Sequence, residues 1–299
     1  MTCTPTSFPY SNEVLLWIRD HVRSTELDTI ARVFSFMGSE EFLLIFLCLS
    51  LWAATFKKVR YLIFITIFST ICNLALKELF HECRPDLSLR IMDVYGYSMP
   101  SGHAQISGTL WGWLALNTPN HVLKILYISL IFLVSLSRIY LGVHYLHNII
   151  AGALIGVLLA WSFCSWGRPF FAWIKKTPRY LYVTASLLFC LLCSQFLIAD
   201  DHFDGDKISG AFFATLCWLH LYKIKKSTSK YTVGWRLVQN IILGVLGVLV
   251  IRTYLQSPLL AIGIKEQYAH FIRYFVICWW AMYVVPSTAL FFMKKRSAE

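Results

Sequence analysis

The sequence predicts an all-α polytopic membrane protein, a helical bundle of about nine transmembrane helices. Hydrophobic residues make up 57% of its 299 residues and charged residues only 14%, and the mean hydropathy is +0.59. Soluble domains carry roughly 25% charged residues. The second observation is that the apolar residues are concentrated in long segments. Both indicate a chain that is embedded in a bilayer.

The apolar residues form nine segments separated by short polar connections. Several segments are shorter than the roughly 20 residues that cross a bilayer, but their flanks are also apolar, so we interpret each as one span. They lie at about 42–56, 61–80, 104–116, 122–137, 148–166, 180–198, 208–222, 237–255 and 271–293.

Basic residues follow an alternating pattern that predicts the orientation of these spans. More than half of the 27 Lys and Arg residues lie in five short segments at alternate connections and at the end of the chain, namely 57–60, Lys124, 168–179, 223–236 and 294–296. Because Lys and Arg accumulate on the cytoplasmic side, we expect these segments inside and the N-terminus outside. The net charge of +11 is interpreted in the same way, and no nucleic-acid partner is expected.

Residues 1–38 precede the apolar segments and lack the apolar core of a signal peptide. We interpret 12–38 as one or two amphipathic helices at the membrane surface, with a short surface-exposed lead segment as the alternative. The nine cysteines lie mostly inside apolar runs without regular spacing. We therefore expect plain buried or lipid-facing thiols, and neither a disulfide framework nor a zinc site.

The stretch Tyr97–Gln105, with the sequence YSMPSGHAQ, is the most informative part of the chain. Its Pro-Ser-Gly turn comes directly before an apolar segment that begins near Ala104. A turn that opens a helix presents free backbone N–H groups and positive dipole potential, which favours an anion. His103 adds a side chain that can deliver a proton near neutral pH.

Two other clusters lie at the ends of spans. Lys77-x6-Arg84-Pro85 follows the second apolar segment, and Ser137-Arg138-x5-His144-x3-Asn148 follows the fourth. The predicted orientation puts both connections on the non-cytoplasmic face, so the clusters can form one site there. Lys77 and Arg84 are two helical turns apart, and both face one pocket if their helix continues that far.

These three motifs resemble the type 2 phosphatidic acid phosphatase superfamily, which also includes the glucose-6-phosphatases and the vanadium haloperoxidases. The family pattern is KxxxxxxRP, PSGH and SRxxxxxHxxxD. The corresponding segments here are KELFHECRP, PSGH and SRIYLGVHYLHN. The resemblance covers about residues 40–165, and the predicted layout of nine spans is similar to that of the glucose-6-phosphatase branch.

The resemblance implies that five residues bind phosphate, namely Lys77, Arg84, Ser101, Gly102 and Arg138. Arginine suits this role because its planar guanidinium grips phosphate oxygens in pairs. Phosphoryl transfer depends on holding this negative charge while a nucleophile attacks in line. The resemblance implies no metal and no other cofactor.

The resemblance also implies three catalytic residues. His144 is the nucleophile and forms a phospho-histidine intermediate. His103 protonates the leaving oxygen and then helps to activate water. Asn148 departs from the family pattern, which has Asp at this position. The amide oxygen can accept a hydrogen bond from the imidazole but brings no negative charge, although the glucose-6-phosphatase branch also has an amide here.

The sequence therefore predicts a membrane phosphatase that hydrolyses a phosphomonoester or pyrophosphate, with a lipid phosphate as the favoured substrate. A lipid phosphotransferase, a sugar-phosphate phosphatase and a catalytically weak phospholipid-binding protein remain alternatives. We expect an N-terminal segment (1–38), a catalytic core (39–166) and a C-terminal extension of about four helices (167–299). A bacterial inner membrane is favoured over an endomembrane, and the oligomeric state is left open.

Overall fold

The computed structural model describes residues 3–5, 11–53, 56–197, 204–221 and 235–288. In this part of the chain the regular structure is helical and no strand forms, so the all-α prediction is confirmed. The α-helices are α1 (Ser11–His21), α2 (Thr25–Phe36), α3 (Glu40–Ala53), α4 (Phe56–Phe80), α5 (Gly102–Asn117), α6 (His121–Tyr140), α7 (Leu146–Lys176), α8 (Arg179–Phe196), α9 (Asp204–Leu221), α10 (Trp235–Tyr254), α11 (Gln256–Ala261) and α12 (Glu266–Trp279). A 3-10 turn covers Leu87–Leu89, and a π-helical turn at Trp280–Val284 extends α12.

Each of the nine apolar segments overlaps one helix, but fewer than nine helices meet the requirements of a full span. Among the described residues, six helices are long and apolar enough to cross a membrane, and α2 with α3, which meet at a bend of 51°, would make a seventh. The protein is an integral membrane protein. The count of nine spans is not confirmed, because α5, for example, has 16 residues and is only about 24 Å long.

The chain divides into two compact units. One contains Met1–Leu44 and Phe68–Gly167, and the other contains Ile45–Ile67 and Arg168–Glu299. The division into 1–38, 39–166 and 167–299 stays a prediction. Three features of the charge pattern lie outside the described residues: the acidic residues Asp200 and Asp201, the lysines between 223 and 230, and the basic tail at 294–296.

In the first unit, glycines allow α5 and α7 to pack in close contact. A Cβ atom at Gly156 would lie 2.1 Å from the backbone oxygen of Gln105, and one at Gly152 would lie 2.6 Å from the backbone oxygen of Ser101. Only a residue without a side chain tolerates this approach. The small residues of 151–158 thus serve the packing of α7, and the contact places the start of α5 beside this helix.

Helix α2 packs on α6 in the same unit. It begins at the N-cap Ser24, whose hydroxyl accepts a hydrogen bond from the Leu27 amide. The Tyr140 hydroxyl donates to Asp28 at 2.7 Å, and Ala31 packs into a buried cluster with Leu141 and Val143. The N-terminal segment therefore contains two helices, and α2 is fixed to the end of α6 from which Arg138 projects.

The second unit consists mainly of α8 to α12 and has its own tightly packed contacts. The Trp52 indole donates to the Ala281 carbonyl at 3.1 Å, and a Cβ at Gly210 would lie 2.2 Å from the Phe271 oxygen. A buried Ser194 hydroxyl bonds to the carboxylate of Asp206, which is 1% exposed. None of the three sequence motifs lies in this unit.

The expectation that all cysteines are plain thiols is wrong for two of them. Cys3 and Cys83 form a disulfide between residues 80 apart in the sequence. The adjacent Thr4 reinforces the link, since its N–H donates to the His81 carbonyl and its own carbonyl accepts from the Cys83 N–H, both at 2.8 Å. The extreme N-terminus is thereby attached to the loop that follows α4. The other seven cysteines are thiols.

We expect Gly156→Ala to destabilise the protein, because backbone oxygen cannot move away from the added methyl group. Overpacking of this kind costs roughly 1–3 kcal/mol. The matched control is Gly112→Ala in α5, whose Cβ would lie 3.6 Å from the Ala160 Cβ, an ordinary contact. Thermal unfolding in detergent micelles, followed by tryptophan fluorescence, measures the difference. Equal stability of the two variants would contradict the close packing of α5 and α7.

The disulfide predicts the number of thiols that can be alkylated. Protein denatured without reductant should incorporate seven alkyl groups, and protein reduced first should incorporate nine, because the chain has nine cysteines and two are paired. Intact-mass spectrometry reads this count directly. Nine groups without reductant would show that Cys3 and Cys83 are not linked.

Candidate active site

The Pro100–His103 turn is held in place by a buried amide pair. The Asn73 amide donates to the Pro100 carbonyl at 3.2 Å and to Gln105 Oε1 at 2.9 Å, and Gln105 in turn donates to the Ser69 carbonyl. Helix α5 then begins at Gly102. Its first-turn N–H groups have no partner within the helix, so they are available to an anion.

The backbone and the side chain of Ser101 have different roles. It is fully buried, and its N–H donates to the Asn148 carbonyl at 3.0 Å. This amide is therefore used to attach the turn to α7. Its hydroxyl oxygen is buried without a hydrogen-bond partner. Ser101 thus offers a hydroxyl to a ligand, while Gly102 offers its backbone N–H.

Arg84 lies in the loop after α4 and not on the helix. Helix α4 ends at Phe80, and His81 adopts a positive φ of 50°, so the helix does not continue as far as Arg84 and the condition for a shared helical face with Lys77 is not met. Lys77 is in the last turn of α4. The Arg84 guanidinium donates to the carbonyls of Gly96 (2.8 Å) and Val143 (3.1 Å), and its Nη1 lies 3.0 Å from His144 Nε2.

His144 is placed by the tight turn between α6 and α7. Gly142 has a φ of +71°, and a Cβ there would lie 1.9 Å from the Leu89 oxygen, so no other residue fits. His144 itself is 2% exposed. Burial, and next the charges of Arg84, Arg138 and Lys77, hold the pKa of the His144 imidazole well below its ordinary value. The ring is therefore neutral at pH 7, and three cations surround it.

Arg138 is buried at the end of α6 and is covered by α2. It is 1% exposed, its Nη1 donates to the Ser35 hydroxyl, and its Nε has no hydrogen-bond partner. A buried guanidinium with an unsatisfied N–H is suited to a phosphate oxygen. Gly38, which lies between α2 and α3, is close to His103, since a Cβ built on it would be 3.2 Å from the His103 ring. The segment that joins α2 to α3 therefore covers this side of the site.

Asn148 does not contact His144 directly. His144 precedes α7, which begins at Leu146, so the two residues are not on one continuous helix. Ser98 lies between them: its Oγ is 2.6 Å from Asn148 Nδ2 and 3.3 Å from His144 Nδ1. The amide oxygen Oδ1 of Asn148 is buried and has no hydrogen-bond partner among the described residues. A serine thus bridges the positions for which the sequence suggested a direct contact.

The structure brings the predicted site residues together within the first unit, and it adds residues that the sequence analysis missed. Ser98, Asn73 and Ser35 each bond to a predicted site residue or to the turn that carries it. Only Ser98 had a signal, because it is two positions before Pro100. Among the described residues, no three His, Cys, Asp or Glu side chains are grouped closely enough to hold a metal ion.

Residues 58–172 match the family model described as the PAP2 superfamily. All three motifs fall within this range, which covers less than half of the chain, so this part of the chain is similar to that superfamily. The matched region includes the end of α4, the turn before α5 and the turn between α6 and α7, which together form the candidate site.

Comparison with individual proteins gives matches to part of the chain. The sequence is 30% identical over 109 residues to phosphatidylglycerophosphatase B of Bacillus subtilis, which covers 33% of this chain and 53% of that protein. The match thus spans about half the length of this relative. One similar crystal structure is that of a transmembrane PAP2-type phosphatidylglycerolphosphate phosphatase from Bacillus subtilis, with 21% identity, a TM-score of 0.46, and coverage of 53% of this chain and 83% of that one. Another is that of Aquifex aeolicus LpxE, with 26% identity, a TM-score of 0.47, and coverage of 52% of this chain and 95% of that one.

Proposed function

We propose that the protein is a membrane phosphatase that hydrolyses a lipid phosphomonoester or pyrophosphate through a phospho-histidine on His144. The observation that carries the proposal is the setting of His144. Arg84 Nη1 can only donate, so Nε2, 3.0 Å away, holds a lone pair. A neutral imidazole with an unprotonated Nε2, surrounded by three cations, is a nucleophile beside a site for an anion.

The proposed reaction has two displacements at phosphorus. The lone pair of His144 Nε2 attacks the phosphorus atom, the bond to the leaving oxygen breaks, and His103 gives that oxygen a proton. Water then loses a proton to His103 and attacks the phosphohistidine, and the electrons of the N–P bond return to Nε2. Lys77, Arg84 and Arg138 hold the phosphate oxygens throughout, together with the Ser101 hydroxyl and the Gly102 N–H.

A lipid is favoured over a soluble sugar phosphate as the carrier of the phosphate. An apolar groove of about 680 Å³ runs between α5, α6 and α7 in the same unit, and its lining includes Ile139, Leu146 and Ile149. These residues follow Arg138, His144 and Asn148 closely in the chain. The name of the Bacillus subtilis relative also describes a lipid phosphate phosphatase.

The Cys3–Cys83 disulfide supports a site on the non-cytoplasmic face. Disulfides persist in oxidising compartments and are rare in the reducing cytosol. Cys83 is the residue before Arg84, so the disulfide and the site lie on the same side of the membrane. This agrees with the orientation derived from the basic segments, because the connections after the second and fourth apolar segments lie on the face opposite to them.

Phosphate release by the purified protein in detergent micelles tests the activity. The parent should release phosphate from a panel of lipid phosphates faster than from a sugar phosphate. His144→Ala should reduce the rate more than about 10³-fold, because the nucleophile is removed. His121→Ala, at the exposed start of α6, is the matched control and should keep the parent rate.

Three results would contradict or change the proposal. Activity that survives His144→Ala would exclude the phospho-histidine. Transfer of phosphate to an added alcohol without release to water would make the protein a phosphotransferase. An inactive parent with an active Asn148→Asp variant would indicate a phospholipid-binding protein that has lost catalysis, since the carboxylate would restore the charge that Asn148 lacks.

The face of action can be tested with the disulfide itself. In right-side-out membrane vesicles, a membrane-impermeant phosphine should reduce Cys3–Cys83, so that nine cysteines are alkylated after solubilisation instead of seven. A permeant thiol reductant is the control. Reduction by the permeant reagent alone would place the site on the cytoplasmic face.

A further inference from the structure

The contacts of His144 define which ring nitrogen carries its proton. Arginine has only donors, so the 3.0 Å contact with Arg84 Nη1 requires an unprotonated Nε2. The proton of the neutral ring is then on Nδ1. The acceptor nearest to it is Ser98 Oγ at 3.3 Å. The orientation of the proposed nucleophile therefore depends on a serine hydroxyl.

Ser98 is held rigidly in this position. It is fully buried, and its backbone N–H donates to the Glu82 carbonyl at 2.8 Å. Glu82 precedes Cys83, which the disulfide attaches to the N-terminus. The Oγ of Ser98 lies 2.6 Å from the Asn148 amide nitrogen. The hydroxyl thus connects His144 to Asn148, and no direct contact between those two is needed.

The Asn148 amide can support a cationic ring in one of its two orientations. With Nδ2 toward Ser98, the Asn148 amide and the His144 Nδ1–H both donate to the same hydroxyl oxygen, and the buried Oδ1 has no hydrogen-bond partner among the described residues. With the amide turned, Oδ1 accepts the Ser98 hydroxyl proton, and that hydroxyl accepts from His144 Nδ1–H. The ring then donates to Ser98 and Ser98 donates to Asn148, so both hydrogen bonds run outward from the imidazole. This orientation is favoured when His144 becomes positively charged.

We propose that Ser98 is a positioning residue of this phosphatase, and that it links His144 Nδ1 to the Asn148 amide in place of a direct imidazole–carboxylate contact. The inference rests on the proposed function. In the first displacement the N–P bond forms at Nε2 and the ring becomes a cation, while the Nδ1 proton stays on His144. Ser98 accepts a hydrogen bond from that proton and does not remove it. Its role is to aim Nε2 at phosphorus and to stabilise the cation.

The test is a double-mutant cycle with Ser98→Ala and Asn148→Ala. Loss of a hydrogen bond to a charged group should lower kcat roughly 10- to 100-fold and leave KM nearly unchanged. Because Asn148 acts through Ser98, Asn148→Ala should cause little further loss in the Ser98→Ala background. Ser98→Thr, which keeps the hydroxyl, should retain more activity than Ser98→Ala. The control Ser107→Ala removes a buried serine within α5 and should keep the parent rate.

Orthovanadate, a phosphate analogue that binds without turnover, gives a second readout for the same cycle. Its affinity should fall together with kcat, and thermal unfolding identifies any variant that fails to fold. The role of Ser98 would be overturned if Ser98→Ala kept the kcat of the parent. It would also be overturned if the fold-losses in kcat of Ser98→Ala and Asn148→Ala multiplied in the double variant. Neither result would contradict the proposed phosphatase activity. A parent that neither releases phosphate nor binds vanadate would overturn the proposed function, and the role of Ser98 with it.

Discussion

The guanidinium of Arg84 joins the two connections that form the site, one between α4 and α5 and the other between α6 and α7. It bonds to Gly96 in the segment before α5, to Val143 in the turn before α7, and to the His144 ring. Arg84 is half-buried, and a partly desolvated cation needs such partners, since an uncompensated charge in a medium of low dielectric is costly. The same contact holds the imidazole in the tautomer that leaves Nε2 with a lone pair. Under the proposed function, the substrate phosphate would take over this donor.

Several elements are packed so that these loops meet. Gly152 and Gly156 allow α5 to approach α7, and Gly142 allows the turn before α7 to pass beside Leu89. The Asn73 amide donates a hydrogen bond to the Gln105 side chain inside the bundle, and this pair fixes the turn that begins α5. The site is thus built from polar groups that are buried and mostly paired, which suits the fixed geometry that electrostatic catalysis requires.

The sequence predicted the helical class and the residues that gather at the site, because apolar length and motif order are local signals. It did not predict Ser98, Asn73 or Ser35, since their roles depend on hydrogen bonds to residues 27 to 103 positions away. Cys3 and Cys83 were missed for the same reason. Arg84 lies outside the helix of Lys77 for a local reason: His81 turns the backbone to positive φ and ends α4 before Arg84. The shortness of α5 likewise explains why apolar segments outnumber full spans.

The most direct test of the account is to locate the phosphate during turnover. The protein would be mixed with a labelled lipid phosphate, quenched in alkali, in which phosphohistidine survives, and mapped by mass spectrometry. Phosphate on His144, which disappears as the substrate is consumed, is the predicted result. Phosphate on Ser101 or His103, or continued turnover without any phosphorylated residue, would contradict the central claim that His144 is the nucleophile.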